Sequence, residues 1–501
     1  MSRFLQLIAV GLWLAAGVCW AQDAAPRLQD LDGKRIAVLT GSAGDLAARK
    51  HFPAAHFVEL NTSSDAALAV ATGKVDAYVF DKSVLFNLVA KNPQLHILDQ
   101  AVARLDVAVA MHKDNAALQA DIDAVLTALQ QEGELQRLRA KWLDSHYTTP
   151  PPMSRVDHVG KGRVLRVGTS GQNEPFTFYA YGALAGLDIE LIHLIGQRLD
   201  RRIEIVDYNF EALIPALQSK KIDLAISNFN VTEERKKLIR YSRPYLGNDI
   251  SALVLAPQPA AAVERNAIAR WLRGVAASFH SNILVEDRYL LIWDGLKTTV
   301  IISVFSTLLG TLLGGAICFM RMSARRLLNL PARLYIAILR GTPVLVLLML
   351  IFYVVFASVN IDPVLVAVIA FGLNFAAYSA EIFRTGIQGV DKGQTEAGIA
   401  LGFTRLSTFV NIVLPQTIHR ILPVFKGEFI SLVKMTSIVG YIAVQDLTKA
   451  SDIIRSRTFD AFFPLVMIAL LYFLISWVLL QFLEYLERVT DPKYGREGRR
   501  T

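Results

Sequence analysis

Two cysteines in 501 residues, Cys19 and Cys318, are too few for a disulfide framework or a thiolate metal site. Charge is scarce too. Asp, Glu, Lys and Arg make up 19% of the chain against 53% hydrophobic residues, where a soluble domain carries about 25% charged residues. That balance excludes disorder and collagen-like structure. No G-x-x-x-x-G-K-S/T phosphate loop occurs, so the chain does not bind and hydrolyse ATP in that manner. His51, His56, His96 and His112 show no metal-ligand spacing, and no nucleophile motif is present. The polypeptide therefore does not read as an enzyme. A net charge of +8 would suit nucleic acid, but many of the basic residues flank apolar runs, where a membrane explains them better.

What is present begins with Arg3, an almost wholly apolar run from Leu5 to Ala16, and Cys19-Trp20-Ala21. This reads as a secretory signal over 1–21, with an uncleaved anchor as the alternative. Residues 28–146 alternate β-rich and helical runs, with strands at Arg35–Leu39, Val75–Phe80 and Leu105–Met111 and a helical stretch from Leu118 to Trp142. The prolines in the linker 147–162 cannot continue a helix. Residues 163–257 repeat the rhythm. Strands are expected at Val164–Thr169, Arg202–Val206 and Leu224–Ser227, and helices at Asp188–Leu199 and Glu211–Ser219. Such alternation predicts parallel α/β sheets.

After a connector at 258–290 the character changes. Five apolar segments lie near 295–320, 335–357, 363–384, 411–446 and 461–483, each long enough for a hydrocarbon core of about 30 Å. Arg321, Arg325 and Arg326 follow the first, Arg384, Lys392 and Arg405 the third, and Arg488, Lys493 and Arg496 the fifth. These clusters share one side only if five segments cross, starting outside and ending in the cytoplasm with the tail 487–501. Lys449, Arg455 and Arg457 break that pattern on the outer side. Glu381, Lys426, Glu428 and Lys434 lie in or beside apolar runs, and pairing or interfacial placement is expected for them.

Several strings in the soluble half resemble the amino-acid-binding, two-lobed solute receptors of ABC importers, the type II periplasmic binding proteins. They are Glu174-Pro175-Phe176-Thr177-Phe178, Gly186-Leu187-Asp188-Ile189-Glu190, and Asp223-Leu224-Ala225-Ile226 leading through Asn230-Val231-Thr232-Glu233-Glu234-Arg235 to Tyr241-Ser242-Arg243-Pro244-Tyr245. In the first stretch Asp30-Leu31-Asp32-Gly33-Lys34 and Gly73-Lys74-Val75-Asp76-Ala77 are similar to the same family. The family order is reversed here. Material like 163–257 (lobe 1) comes first in the family, and material like 28–146 (lobe 2 plus a closing helix) follows. The resemblance implies one circularly permuted α/β domain of two lobes, with two half-domains as the competing reading.

A free amino acid needs an anchor for its carboxylate, one for its ammonium, and a side-chain pocket. Arg235 can grip a carboxylate through a bidentate fork, and the matching arginine of the family does so. The resemblance further implies Asn228 and Asn230 as contacts to the amino acid's ends, Asp81 as the ammonium anchor and Phe210 as the aromatic wall. The turn at Ser42 and Ala43 opens a helix and would offer backbone N–H groups to the carboxylate. Contacts from both lobes would make closure ligand-dependent. Ser170 stands where many relatives carry an acid, and Asn173 where many carry an aromatic; Glu174 is a candidate substitute acid. Neutral polar amino acids are favoured over cationic ones.

Residues 291–486 resemble the permease subunits of polar amino acid ABC importers (type I). The strings are Gly295-Leu296-Lys297-Thr298-Thr299, Arg340-Gly341-Thr342-Pro343, Ala377-Tyr378-Ser379-Ala380-Glu381 and Leu414-Pro415-Gln416. Gly393-Gln394-Thr395-Glu396-Ala397-Gly398-Ile399-Ala400-Leu401-Gly402 is similar to the loop that docks onto the ATPase, with Gly398 in place of the usual alanine. There Glu396 would pair across the contact, Ala397 would permit close approach, and Gly402 would let the chain turn. The expected architecture is thus the two-lobed binding domain followed by an all-α membrane domain of five transmembrane helices. The expected function is import of a polar L-amino acid across a bacterial inner membrane, with the binding domain outside. Expected partners are a separate ATPase carrying the ATP and magnesium, a second permease copy in a homodimer, the amino acid and membrane lipid. No nucleic acid and no cofactor of the chain's own are expected. A ligand-gated channel or a chemosensory receptor is the alternative. A channel would insert its pore between the lobes, whereas the apolar segments here follow them, and a receptor would need a signalling domain after the last segment.

Overall fold

The run Ala77-Tyr78-Val79-Phe80-Asp81 is apolar until its last residue. In the computed structural model it is a strand buried at every position, as a central strand covered on both faces must be. The structure describes residues 27–145, 147, 149–154, 160–256, 274–357, 359, 361–458, 460 and 462–490. The expected signal at 1–21, much of the connector and most of the tail lie outside them.

The first stretch runs β1 (Arg35–Leu39), α1 (Ala43–His51), β2 (His56–Leu60), α2 (Ser63–Ala71), β3 (Ala77–Asp81), α3 (Lys82–Lys91), β4 (Leu95–Val107), β5 (Ala110–Met111), α4 (Ala116–Gln131) and α5 (Glu134–Arg139). Gly133, at φ +78°, breaks the expected helix Leu118–Trp142 in two. The second stretch runs β6 (Gly162–Thr169), β7 (Gln172–Asn173), β8 (Thr177–Ala180), β9 (Ala183–Ala185), α6 (Leu187–Arg198), β10 (Arg201–Asp207), α7 (Leu213–Gln218), β11 (Leu224–Ala225), α8 (Glu233–Lys236), β12 (Arg240–Tyr241) and β13 (Leu246–Leu255).

These elements do not divide at the proline linker. One compact unit comprises the described residues up to Asp106 together with 247–256; the other comprises 107–246 and everything from 274 onward. In the first unit the sheet order is β2-β1-β3-β13-β4, with β13 antiparallel to β3 so that Ile250 faces Asp81. The second unit has the order β10-β6-β11-β5-β12, with β5 antiparallel to both neighbours, and a small sheet β7-β8-β9. Each main sheet thus takes one strand from the other stretch. The expected single strand Leu105–Met111 is accordingly two. Its apolar pattern is continuous, but the chain passes from one unit to the other within it. The amides at the break are satisfied in the second unit: Ala108 N–H donates to the Phe229 carbonyl at 3.1 Å, and Val109 N–H to Ser242 Oγ at 3.0 Å.

The region after 274 is helical: α9 (Tyr289–Met322), α10 (Arg326–Gly341), α11 (Val344–Leu350), α12 (Pro363–Gln388), α13 (Lys392–Ala400), α14 (Arg405–Thr408), α15 (Leu414–Met435), α16 (Leu447–Thr458) and α17 (Phe462–Thr490). Three helices, α9, α12 and α17, are long and apolar enough to cross a membrane; two bent pairs raise the number to five if each counts as one span. The segment expected at 335–357 is one of these pairs, bent by 109° between α10 and α11. Pro343 lacks an N–H and holds Thr342 extended (φ −99°, ψ 131°), so the helix must stop there. The other pair bends by 58° before α16. Close packing of α9 on α12 rests on small residues. A Cβ added at Gly310 would lie 2.8 Å from the Gly372 carbonyl oxygen, and one at Gly314 would lie 2.7 Å from Ser379 Cβ. Without a hydrophobic drive between lipid-facing helices, such backbone approach supplies the van der Waals contact. Glu381 pairs with Arg384 at 2.6 Å and Arg321 at 3.6 Å, as expected for an ionisable group there.

Candidate functional site

Six of the nine residues expected to hold an amino acid lie in the second unit, gathered by hydrogen bonds and, for Phe210, by ring contacts. Thr232 caps α8 by accepting from the Arg235 N–H at 3.3 Å, which fixes Arg235 one turn into the helix. The residue is buried (6% exposed), not solvated as a helix-start charge ordinarily is. It donates to the Asn230 carbonyl at 3.2 Å and lies over the rings of Phe229 (4.9 Å) and Phe210 (5.4 Å), a cation–π arrangement. Phe210, half-buried, leans on Phe229 with ring centroids 5.3 Å apart. Asn230 Nδ2 donates to the Asn228 carbonyl at 3.3 Å. Asn228 is in the left-handed region (φ +49°), a conformation asparagine tolerates better than most residues.

Ser170 and Asn173 join the patch through Ser227. The Ser170 N–H donates to Ser227 Oγ at 3.3 Å, and Asn173 Nδ2 reaches the same oxygen at 3.4 Å. Thr177 Oγ1 donates to the Ser170 carbonyl at 2.5 Å. Among the described residues, the buried Asn228 Oδ1 and Thr169 Oγ1 have no hydrogen-bond partner. The site is therefore a frame of hydroxyls and amides with one guanidinium, set at the carboxyl ends of β6 and β11. Such a set can hold a polar ligand that carries an anionic group.

Sequence reading missed the residue beneath this frame. Asp188, buried at the start of α6, accepts the Asn228 N–H at 2.6 Å and the Tyr245 hydroxyl at 2.7 Å. Burial pushes its carboxyl up to about 6, against the opposing pull of those two hydrogen bonds. The signal was available, because an aspartate in an otherwise apolar helix start needs a buried partner.

The other three expected residues lie in the first unit. Asp81 ends β3 and is buried. It occupies the cap position of α3 without capping it, and accepts instead from Asn248 Nδ2 at 2.9 Å. Ser42 caps α1 by accepting the Asp45 N–H at 3.1 Å. Gly41 N–H donates to Asp45 Oδ2 at 3.1 Å and Ser42 N–H to the Leu39 carbonyl at 2.9 Å. Part of what the Ser42–Ala43 turn would offer a carboxylate is thus engaged within the turn.

Glu174, the candidate substitute acid, is engaged elsewhere. It is buried and pairs with Arg457 of α16. Arg457 also pairs with Glu286 at 2.6 Å and covers the Phe178 ring at 4.5 Å. Lys449, on the same helix, donates to Asn209 Oδ1 at 2.9 Å and approaches Asp207 at 3.5 Å. Arg455 pairs with Asp452 at 3.3 Å. The three cations that broke the charge rule are therefore neutralised within the protein.

The loop expected to dock an ATPase forms α13, capped by Asp391, whose side chain accepts the Gly393 N–H. Glu396 and Ala397 are exposed and Gly398 is buried. A Cβ at Gly398 would lie 2.6 Å from Thr408 Cγ2, which explains glycine where alanine is usual. Gly402, at φ +90°, makes the turn out of the helix. Leu401 and Leu406 beside it are 77% and 74% exposed. Among the described residues no group of three or more His, Cys, Asp or Glu could hold a metal ion.

Comparison with known proteins bears on both halves. A probable amino-acid ABC transporter permease protein of Bacillus subtilis is 36% identical over 218 residues, covering 43% of this chain and 94% of its own. The chain belongs to the amino-acid ABC transporter permeases. The L-cystine transport system permease of the same organism is 36% identical over 212 residues, covering 42% of this permease and 91% of its own length. The family of bacterial extracellular solute-binding proteins, family 3, matches residues 165–406, so the permease carries a solute-binding domain on the same polypeptide. Among solved structures, an amino acid ABC transporter crystallised with histidines is similar at 35% identity. It covers 46% of this permease and 99% of that chain, with a TM-score of 0.38.

Proposed function

We propose that this chain is the substrate-binding and permease subunit of an ABC importer that moves a polar L-amino acid into the cytoplasm, driven by a separate ATPase. The observation that carries this reading is the convergence of Arg235, Asn228, Asn230, Phe210, Ser170 and Asn173 in one frame, on the same compact unit as the apolar helices. Arg235 takes the carboxylate, and Asp81 is the ammonium anchor that the family resemblance implies. Hydroxyls and amides at Ser170, Asn173, Ser227 and Thr177 favour a neutral polar side chain, since Glu174 is committed to Arg457.

The two soluble stretches are one permuted domain. Completion of each main sheet by a strand of the other stretch supports this over independent half-domains. The membrane part crosses five times in the inner membrane, with the binding domain outside and the end of the chain in the cytoplasm. Lys449, Arg455 and Arg457 remain exceptions to the charge rule in that orientation, although each is buried and paired. Exposed Leu401 and Leu406 beside α13 suit the groove of an ATPase, with Glu396 paired across it. Two copies with two ATPases form the transporter. The test is thermal unfolding of the full chain in nanodiscs against a panel of L-amino acids. A ligand bound only by the folded state raises the midpoint. A rise with one or two amino acids, lost in Arg235→Ala, is the expected result; no rise with any amino acid overturns the reading.

A further inference from the structure

Binding proteins that serve transporters as separate molecules must dock and leave. Here the seam between the solute-binding lobe of the second unit and the helical region has the character of a domain interior. One continuous buried core contains Leu217 and Phe229 of the lobe together with Ile302, Phe352 and Val366 of the helices. An interface resembling a core cut in half is the mark of obligate association, whereas transient ones are more polar and wetter.

Polar anchors ring that core. Arg457 pairs with Glu174, and Lys449 donates to Asn209 and approaches Asp207. Lys221 of the lobe donates to the Phe356 and Val359 carbonyls and lies over the Phe352 ring at 4.9 Å. Tyr179 donates to Gln445 Oε1 at 3.5 Å. Covalent attachment adds to this: a tethered lobe meets its seat at an effective concentration on the order of millimolar, so even a modest interface stays occupied.

We propose that this lobe is a permanent part of the permease, seated on α16 by Arg457 and Lys449 throughout the transport cycle and never undocking to release its amino acid. The proposal rests on the importer reading given above, and its test separates the two. Asn209 and Gly440 face each other across the seam: a Cβ on Gly440 would lie 3.7 Å from Asn209 Cγ, the position a cysteine sulfur would take, so a small side-chain adjustment brings two cysteines there within cross-linking reach. Asn209→Cys and Gly440→Cys are combined with Cys19→Ala and Cys318→Ala. The chain is reconstituted with its ATPase and oxidised with and without ATP, and with vanadate. The cross-linked fraction is expected to be the same in every state, and the cross-linked transporter to retain most of its uptake. A several-fold fall in cross-linking under ATP or vanadate, or uptake that stops on oxidation and returns with reductant, overturns the proposal. Reduced protein that couples ATP to no amino acid at all would instead count against the importer reading.

The unmodified chain gives a second measurement should the double variant fail to fold. Lys449 is buried at the seam (4% exposed), and its amine is expected to stay unlabelled by an amine-reactive reagent during ATP turnover. Labelling that rises with ATP to the level of exposed lysines overturns the proposal.

Discussion

The Asn228 N–H donates to the Asp188 carboxylate at 2.6 Å, and this bond holds a left-handed residue in place at the centre of the amino-acid frame. The Asp188 carboxyl lies above its ordinary value, at about 6. A raised folded value means that the native state takes up a proton more readily than the unfolded chain. This contribution is fully present below the unfolded value near 4 and is lost as pH rises through about 6. A shift of this size corresponds to something on the order of 3 kcal/mol. Melting midpoints of the full chain between pH 4 and 7 are expected to carry this slope, and Asp188→Asn to flatten it. An unchanged slope in the variant would show that another group is responsible.

Arg235 acts through its fork as well as its charge. Arg235→Lys keeps a cation but loses bidentate geometry, so the amino acid that raises the midpoint should bind roughly 10-fold or more weakly, a cost of about 1.4 kcal/mol or above. Arg235→Ala should abolish the ligand-induced rise. Isothermal titration of the reconstituted chain distinguishes the two.

Asp81 receives the Asn248 amide. Asp81→Asn removes the charge proposed to meet the ligand's ammonium, at similar side-chain size. The ligand-free midpoint should change little, while the ligand-induced rise disappears. Equal ligand shifts in the variant and the parent would remove Asp81 from the site.

The Gly398 prediction concerns the docking loop. Gly398→Ala brings a methyl into Thr408 Cγ2 and should destabilise the loop by about 1–3 kcal/mol, the usual cost of overpacking. Thr408→Ser deletes that methyl and should recover part of the loss. Coupling of ATP hydrolysis to uptake in the single and double variants is the measurement.

Gly310 meets a partner that cannot move aside. Gly310→Ala sets its methyl against the Gly372 carbonyl oxygen, so α9 and α12 must separate. A loss of about 1–3 kcal/mol is expected in thermal unfolding, whereas Gly315→Ala, with open space at its Cβ, should be nearly neutral.

Much of this was legible because the signals are local. Strand–helix alternation found strands β1, β3, β6, β10 and β11 but not β2, β12 or β13, and apolar length found the membrane helices but not the bend at Pro343. Arg235 and Asp81 were placed by motif, and both are buried in the structure. What could not be read depends on distance in sequence. Nothing near Leu105–Met111 reveals that the chain changes sheets there, because both parts are equally apolar. Glu174 looked available as a ligand acid until Arg457, far along the chain, was found against it. The same pairing shows what Arg457, an exception to the charge pattern, does in the fold.

The insertion of β13 between β3 and β4 has a consequence for synthesis. That strand is made roughly 140 residues after β4, which at about 5–20 residues per second is a delay of many seconds. Until it arrives, β3 lacks a neighbour on one side, and the growing chain carries a bare apolar edge. Folding of the first unit must therefore wait for Leu246–Leu255, shortly before the first membrane helix is made. The yield of folded chain should therefore depend on whatever shields that unpaired edge in the interval.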